Sequence, residues 1–205
     1  MIRVLARFCA LLWLCPLCCL AAGPQGSLAA GQVLRGHFVQ ERHMTGFNAP
    51  LKTEGHLVLS AGKGLIWRAE KPFAVTTVIT ADGLTQASGG TETTRLPAAK
   101  LPFLSHLYDM LGGALTGDWH ALESDFSIAT TGTDKAWQVV LTPRQDQSPI
   151  AMRIRTITVT GSKFVDHVTI AKPDGDADDL SFIDQTLSDG PPAADEAAAF
   201  DSLAR

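Results

Sequence analysis

Three features of the 205-residue sequence predict a mainly β fold built on an antiparallel sheet. From Val33 onward, short runs rich in β-branched and aromatic residues are separated by turns that contain glycine, proline or aspartate. Several runs alternate apolar and polar residues, which buries one face of a sheet and leaves the other face wet. The runs recur every 10 to 15 residues or so, with hairpin-like turns between them. An antiparallel meander is therefore the simplest topology.

The N-terminal segment is expected to be a secretory signal peptide. Arg3 and Arg7 precede an apolar run from Phe8 to Leu20, and small residues follow it. This order is typical of a signal peptide; a retained membrane anchor, the alternative, would need about 20 apolar residues. We assign residues 1–22 to the peptide, with residue 30 as the latest cleavage point. All four cysteines lie inside it, so the mature chain would contain no disulfide, no thiol nucleophile and no cysteine-type zinc site.

The first half of the remaining chain contains four predicted strands. The first becomes polar near its end, and the fourth is strongly β-branched. Asp82-Gly83 closes the fourth run, and glycine supplies the positive φ that a tight hairpin turn needs. The predicted strands span residues 33–43, 53–60, 64–69 and 73–81.

The second half contains five more predicted strands. Trp137, Val139 and Leu141 alternate with polar residues, and the run from Ile150 through Met152 shows the same period. These strands are predicted at residues 124–131, 135–142, 150–160, 163–172 and 179–187.

One segment between the two halves has a helical period. Pro102 suits a first helical turn, and Gly112-Gly113 ends the segment, which predicts a short helix over about 102–115. The helix carries two adjacent apolar stripes and would need apolar cover on most of its circumference. It could lie across an open sheet. One stripe consists of Phe103, Leu107, Met110 and Leu111.

The charge is unevenly distributed along the chain. Residues 174–205 hold nine acidic residues and a single basic one, whereas the preceding body is close to neutral. No segment forms the basic footprint of a nucleic-acid-binding protein. The acidic, Pro/Ala-rich tail over 188–205 is expected to be mobile, with room for a short terminal helix.

The sequence contains no arrangement that indicates an enzyme, a cofactor or a metal. The six histidines form no H-E-x-x-H pattern, and no nucleophile elbow or phosphate-binding loop is present. His37 and His56 could approach each other on adjacent strands, but two histidines without a third ligand more often lie on a polar face. The acidic turn over 173–180 has its glycine too early for a calcium loop, so a solvated hairpin is favoured. We therefore predict no catalytic residue.

The apolar residues remain, and on composition alone they would simply fill a core. Their order, however, resembles a known family. Phe38-x-Gln40 ends the first strand, Glu54-Gly55 opens the second, and Trp67 precedes Pro72 and a β-branched strand that ends in Asp82-Gly83. Together with "VVLTPR" at 139–144, this run resembles the periplasmic outer-membrane lipoprotein carriers, the LolA-like proteins. The similarity covers about residues 33–185.

The resemblance implies an incomplete antiparallel β-barrel over 31–187 whose concave face is closed by a short helical lid. It further implies a periplasmic, monomeric carrier that shelters acyl chains of lipid or lipoprotein between an inner-membrane donor and an outer-membrane acceptor. The lid would be formed by the stripe from Phe103 to Leu111. The cavity would be lined by Phe38, Leu57, Leu59, Leu65, Trp67, Phe73 and Trp137.

Two departures from the family pattern keep other functions open. The family has an amphipathic helix before the first strand, and only about ten residues are available for one here. Its lid-binding arginine is replaced by Ala61-Gly62-Lys63. The alternatives are a carrier of a non-protein lipid such as a glycolipid or polyketide-derived lipid, a LolA-fold sensor or accessory protein, and, less favoured, an envelope enzyme.

Overall fold

The computed structural model describes residues 28–100, 119, 122–144 and 150–202. These residues form eleven strands, a short 3₁₀ helix at Ala98–Lys100 and one α-helix, α1 (Ala194–Asp201). The strands are β1 (Gln32–His43), β2 (Leu51–Ser60), β3 (Gly64–Lys71), β4 (Val75–Thr80), β5 (Gly83–Ser88), β6 (Thr91–Pro97), β7 (Phe126–Thr133), β8 (Ala136–Pro143), β9 (Thr156–Gly161), β10 (Val165–Ala171) and β11 (Ala177–Asp189).

All eleven strands belong to one antiparallel sheet in the order β6-β5-β4-β3-β2-β1-β11-β10-β9-β8-β7. Two meanders, β1–β6 and β7–β11, are joined where β1 pairs with β11. Among the described residues β6 and β7 each pair with one strand, so the sheet stays open. The predicted mainly β, incomplete antiparallel barrel is confirmed. The lid predicted over 102–115 and the signal peptide predicted over 1–22 lie outside the described residues.

The strand register divides the side chains between an inner and an outer face of the sheet, because opposed residues on neighbouring strands share a face. Two large apolar clusters lie on the inner face, and Phe182 packs against both of them. The first meander contributes Leu34, Leu57, Leu59, Leu65 and Ile79. The second contributes Trp137, Val139, Leu141, Ile157 and Val159.

A bulge in β11 keeps the inner face continuous at the join between the meanders. Arg35 pairs with Thr186 while His37 pairs with Ile183, so β11 holds one extra residue here. Asp184, within the bulge, has φ 54°, the kind of backbone that a bulge accommodates. Side chains an odd number of positions apart on a regular strand point to opposite faces, so without the extra residue two side chains of β11 could not both lie on the inner face. Those two side chains are Phe182 and Leu187.

The C-terminal tail, for which a short terminal helix was left as an option, contains helix α1 in the described residues. Helix α1 follows Pro191-Pro192, is rich in alanine and carries acidic residues in its first turn, all of which favour helix formation there. Its Phe200 is buried against the outer face. The residues that it covers there are Val33, Val58, Ile66 and Val78.

Two strand predictions need correction. Residues 150–155 form a turn instead of the first half of a strand, because the Ile154 amide donates to the Ile150 carbonyl at 2.8 Å, a helical bond. The β5–β6 hairpin was not predicted, because its strands, at one edge of the sheet, are rich in threonine and other polar residues. The predicted turn before it is present. Gly83 there has φ 149°, and a Cβ would lie 2.3 Å from the Leu96 carbonyl oxygen.

Candidate functional site

The inner face of the first meander forms a wall of aliphatic side chains. On β2 and β3, Leu57 pairs with Trp67 and Leu59 pairs with Leu65, and Leu65 is in turn opposite Ile79 on β4. Leu57, Leu59 and Leu65 are buried, and Trp67 is partly buried against the same cluster. Period-two alternation places these residues on one face, as the sequence pattern indicates.

Three aromatic rings occupy the join between the meanders. Phe38 and Trp67 stack with ring centroids 3.8 Å apart and an interplanar angle of 26°. Phe182 meets Trp67 edge-on, with centroids 6.2 Å apart and an angle of 85°. Such stacked and edge-to-face contacts are favoured geometries for aromatic pairs. The three rings therefore form one aromatic cluster, which we call the aromatic seam.

Most of the cavity residues expected from the sequence share this inner face. Leu57, Leu59, Leu65 and Trp67 lie in one cluster, and Phe38 joins them through its stack on Trp67. Trp137 also lies on the inner face but belongs to the cluster of the second meander. Phe73 is elsewhere, on the loop between β3 and β4, with its side chain 78% exposed.

Trp137 is fixed by its surroundings. It is buried, and its Nε1 donates to the Ser162 carbonyl at 2.7 Å. Its ring lies over Gly161, where an added Cβ would be 2.4 Å from Trp137 Cζ2. This tryptophan fills the end of the second cluster, whereas Trp67 keeps part of its ring accessible.

Several inner-face residues were not predicted from the sequence, and Phe182 matters most among them because it packs against both clusters. The strand that holds it was predicted, but the bulge interrupts its period of two. The alternation on which the prediction relied is therefore broken at this point. The lid residues Phe103, Leu107, Met110 and Leu111 lie outside the described residues.

Three histidines on the strands, His37, His43 and His56, lie beside acidic side chains. His37 and His56 do approach each other, with ring centroids 6.5 Å apart, and His56 Nδ1 lies 3.1 Å from Glu70 Oε1. In the described part of the chain, no group of three or more histidine, cysteine, aspartate or glutamate side chains could hold a metal ion. No helix among those residues is long and apolar enough to cross a membrane.

Two buried carboxylates have pKa values below their ordinary ones. Arg35 donates to both oxygens of Glu196, at 2.7 and 2.5 Å, and lowers the pKa of Glu196 although burial opposes this. Burial alone would raise the pKa of Asp178, but hydrogen bonds from Arg42 and Lys172 lower it below its ordinary value. Each shift is explained by a structural ion pair, so neither identifies an acid–base catalyst.

Comparison with solved structures returned distant similarities. A Pseudomonas aeruginosa MucA/MucB complex matches with 13% identity and a TM-score of 0.48, covering 80% of this chain and 54% of the matched chain. This chain thus spans about half the length of that protein. A LolA superfamily protein from Nitrosomonas europaea matches with 9% identity and a TM-score of 0.41, covering 86% and 97%. A putative outer membrane lipoprotein-sorting protein domain from Vibrio parahaemolyticus matches with 10% identity and a TM-score of 0.36, covering 85% and 92%.

No curated protein sequence matches this chain. The chain does match a family model, described as "Outer membrane lipoprotein carrier protein LolA-like", over residues 25–202. The match extends through α1, beyond the boundary at 187 that the sequence resemblance implied. The chain therefore belongs to the LolA-like family of outer membrane lipoprotein carrier proteins.

Proposed function

We propose that this protein is a periplasmic carrier that shelters lipid acyl chains against the inner face of its sheet. The cargo is the acyl part of a lipoprotein or of a related lipid, taken from an inner-membrane donor and passed to an outer-membrane acceptor. The protein acts as a monomer and not as an enzyme. The N-terminal segment, read as a cleaved signal peptide, supports the periplasmic location.

The aromatic seam is the observation that carries this proposal. Trp67 contacts both Phe38 and Phe182, which face each other across β1 and β11 where the two meanders meet, and Trp67 is only partly buried. An acyl chain at this point would contact apolar side chains from both meanders. The proposed wall consists of Phe38, Leu57, Leu59, Leu65 and Trp67, with Trp137 at its far end. Phe73 is left out because it is exposed.

A lid would adjust the affinity for cargo. Burying a 16-carbon chain at about 0.8 kcal/mol per methylene yields roughly 12 kcal/mol, which is too much for a carrier that must release its load. If the apolar stripe Phe103, Leu107, Met110 and Leu111 covers the inner face of the empty protein, opening it subtracts from that binding energy. Methionine suits such a segment because its side chain repacks readily.

Titration with a fluorescent fatty acid tests the proposal. We expect saturable binding by the wild type, and at least tenfold weaker binding by Trp67→Asp, because a carboxylate would be buried among apolar groups. Trp67→Phe, which keeps an aromatic ring, should retain most of the affinity.

Ile183→Asp is the matched control, since Ile183 is half exposed on the opposite face of β11. It should bind the fatty acid like the wild type, and circular dichroism should show that every variant is folded. Saturable binding that Trp67→Asp leaves unchanged would contradict the proposed site, and no saturable binding at all would contradict the function.

A further inference from the structure

Four exposed apolar side chains lie at one end of the sheet. Among the described residues, five large apolar side chains are at least half exposed: Phe47, Leu51, Phe73, Met152 and Ile183. Ile183 lies in the middle of β11, opposite His37. The other four lie on or next to connections between strands, and we call them the apolar rim.

On the first meander, strand register brings three of the four to the same end. Phe47 lies on the β1–β2 connection, and Leu51 opens β2 opposite Arg42. The last residue of β3, Lys71, pairs with Glu54, three positions along from Leu51. Phe73 follows Lys71 by two residues and therefore extends from that same end.

On the second meander, the register leads to Met152. His43 at the end of β1 pairs with Ala177, which also pairs with Ala171 on β10. Ala171 in turn pairs with Thr156, the first residue of β9. Met152 lies in the turn just before β9, so it belongs to the same end. All four residues of the apolar rim therefore lie at one end of the sheet.

Basic side chains stand beside the rim residues. Lys52 follows Leu51, Lys71 precedes Phe73 by two residues, and Arg153 follows Met152. Lys52 and Lys71 both pair with Glu54, at 2.7 and 3.3 Å, and Glu41 lies opposite Lys52 on β1.

At the whole end of the sheet, basic residues exceed acidic ones only among the exposed side chains. Within two residues of the described connections, the exposed basic residues outnumber the exposed acidic ones. The basic residues are Arg42, Lys52, Lys71, Arg144, Arg153 and Arg155. The acidic residues are Glu70, Glu92, Glu123 and Asp174. Further carboxylates at this end are half-buried or buried, and two of them, Glu54 and Asp178, each pair with two cations.

The spread of the rim fits a flat partner. Five strand positions separate β3 from β9, which at about 4.8 Å each is roughly 24 Å along the curved sheet. Separate apolar side chains flanked by Lys or Arg suit a lipid bilayer surface. The apolar side chains can enter the interface between headgroups and acyl chains, while the basic groups reach the lipid phosphates. We propose that the apolar rim docks the protein on the surface of a phospholipid bilayer. This docking does not depend on the carrier function.

Vesicle co-sedimentation tests the proposal, with vesicles of phosphatidylethanolamine and phosphatidylglycerol as the probe. We expect the wild type to bind, and the triple variant Phe47→Ser/Phe73→Ser/Met152→Ser to partition at least tenfold more weakly. Lys52→Gln/Lys71→Gln should weaken binding mainly at low salt, because charges at a surface are screened as ionic strength rises. Ile183→Ser, which removes an exposed apolar side chain away from the rim, should bind within twofold of the wild type.

Three results would overturn the proposal: no binding to these vesicles, equal binding by the triple variant, or an equal loss in Ile183→Ser. Sedimentation without vesicles adds a fourth, because a dimer that the triple variant dissociates would assign the rim to a second copy of the chain. Fatty-acid titration of the same variants separates the two proposals. The triple variant should keep its fatty-acid affinity, and Trp67→Asp should keep its vesicle binding.

Discussion

The two tryptophans on the inner face of the sheet, Trp67 and Trp137, differ in their surroundings. Both point to the inner face, but Trp137 is held by a hydrogen bond to Ser162 and packs on Gly161. Trp67 has aromatic neighbours and stays partly accessible. Trp137 therefore stabilises the second cluster, while Trp67 packs against the first cluster and stays only partly buried.

The role of Trp137 leads to a prediction at Gly161. An added Cβ would lie 2.4 Å from the Trp137 ring and 2.1 Å from the Phe164 carbonyl oxygen. We expect Gly161→Ala to lower the free energy of unfolding by about 1–3 kcal/mol in urea denaturation, the usual range for overpacking. Gly36→Ala is the comparison, since its Cβ would meet Gln185 Cγ of a flexible side chain at 3.0 Å. An equal loss in both variants would argue against the tight packing at Trp137.

Individual inner-face residues could be predicted wherever the alternation runs unbroken. Leu57, Leu59 and Leu65 follow it and lie where the sequence indicates. Phe73 and Ile79 are an even number of residues apart, so an unbroken strand would place both side chains on the same face. Strand β4 begins only at Val75, however, so Phe73 is not part of that alternation. The alternation of apolar and polar residues alone could not reveal at which residue the strand begins.

At the scale of elements, the long apolar strands were predictable and the polar ones were not. Strands β1 to β4 and β7, β8, β10 and β11 correspond to predicted runs, because those runs are rich in β-branched and aromatic residues or alternate with a period of two. The β5–β6 hairpin is polar, so its strands depend on backbone pairing that the side chains do not reveal. Helix α1 was left as an option because an acidic, alanine-rich tail is by itself compatible with disorder.

Helix α1 is held partly by an ion pair, which makes its stability depend on pH. The pKa of Glu196 is lowered in the folded state, so the pair with Arg35 contributes stability above the ordinary glutamate pKa of about 4.3. That contribution is lost as pH falls through the lowered value. We expect Glu196→Gln to cost about 1–2 kcal/mol at pH 7, since the Arg35 side chain is one-third exposed, and progressively less as the pH falls below about 4.

Urea denaturation across this pH range measures the effect. Glu92→Gln serves as the control, because Glu92 pairs with Arg95 on the exposed edge strand β6. The pKa of Glu92 is also lowered by Arg95, but solvent weakens this exposed pair, so Glu92→Gln should change the unfolding free energy much less than Glu196→Gln does. A difference between Glu196→Gln and the wild type that stays constant down to pH 3 would contradict the role of the ionised pair.

At the scale of the whole molecule, the two meanders share one inner face because β1 pairs with β11 through a bulge. The sequence predicted that such a face exists, from the order of strands and the family resemblance. Phe38 and Trp67 were expected on this face, but Phe182 could not be predicted in the aromatic seam, since it joins them only through the pairing of β1 with β11, which are distant in sequence. The proposed function rests on this seam and on the apolar walls beside it.

Mass spectrometry of organic extracts from gently purified protein tests this claim most directly. The account predicts that the wild type carries acyl lipid in close to molar proportion, and that Trp67→Asp, purified in parallel and shown to be folded, carries at least tenfold less. Ile183→Asp should retain the wild-type amount. Extracts in which wild type and Trp67→Asp contain the same lipids in the same amounts, or in which the wild type contains none, would contradict the account.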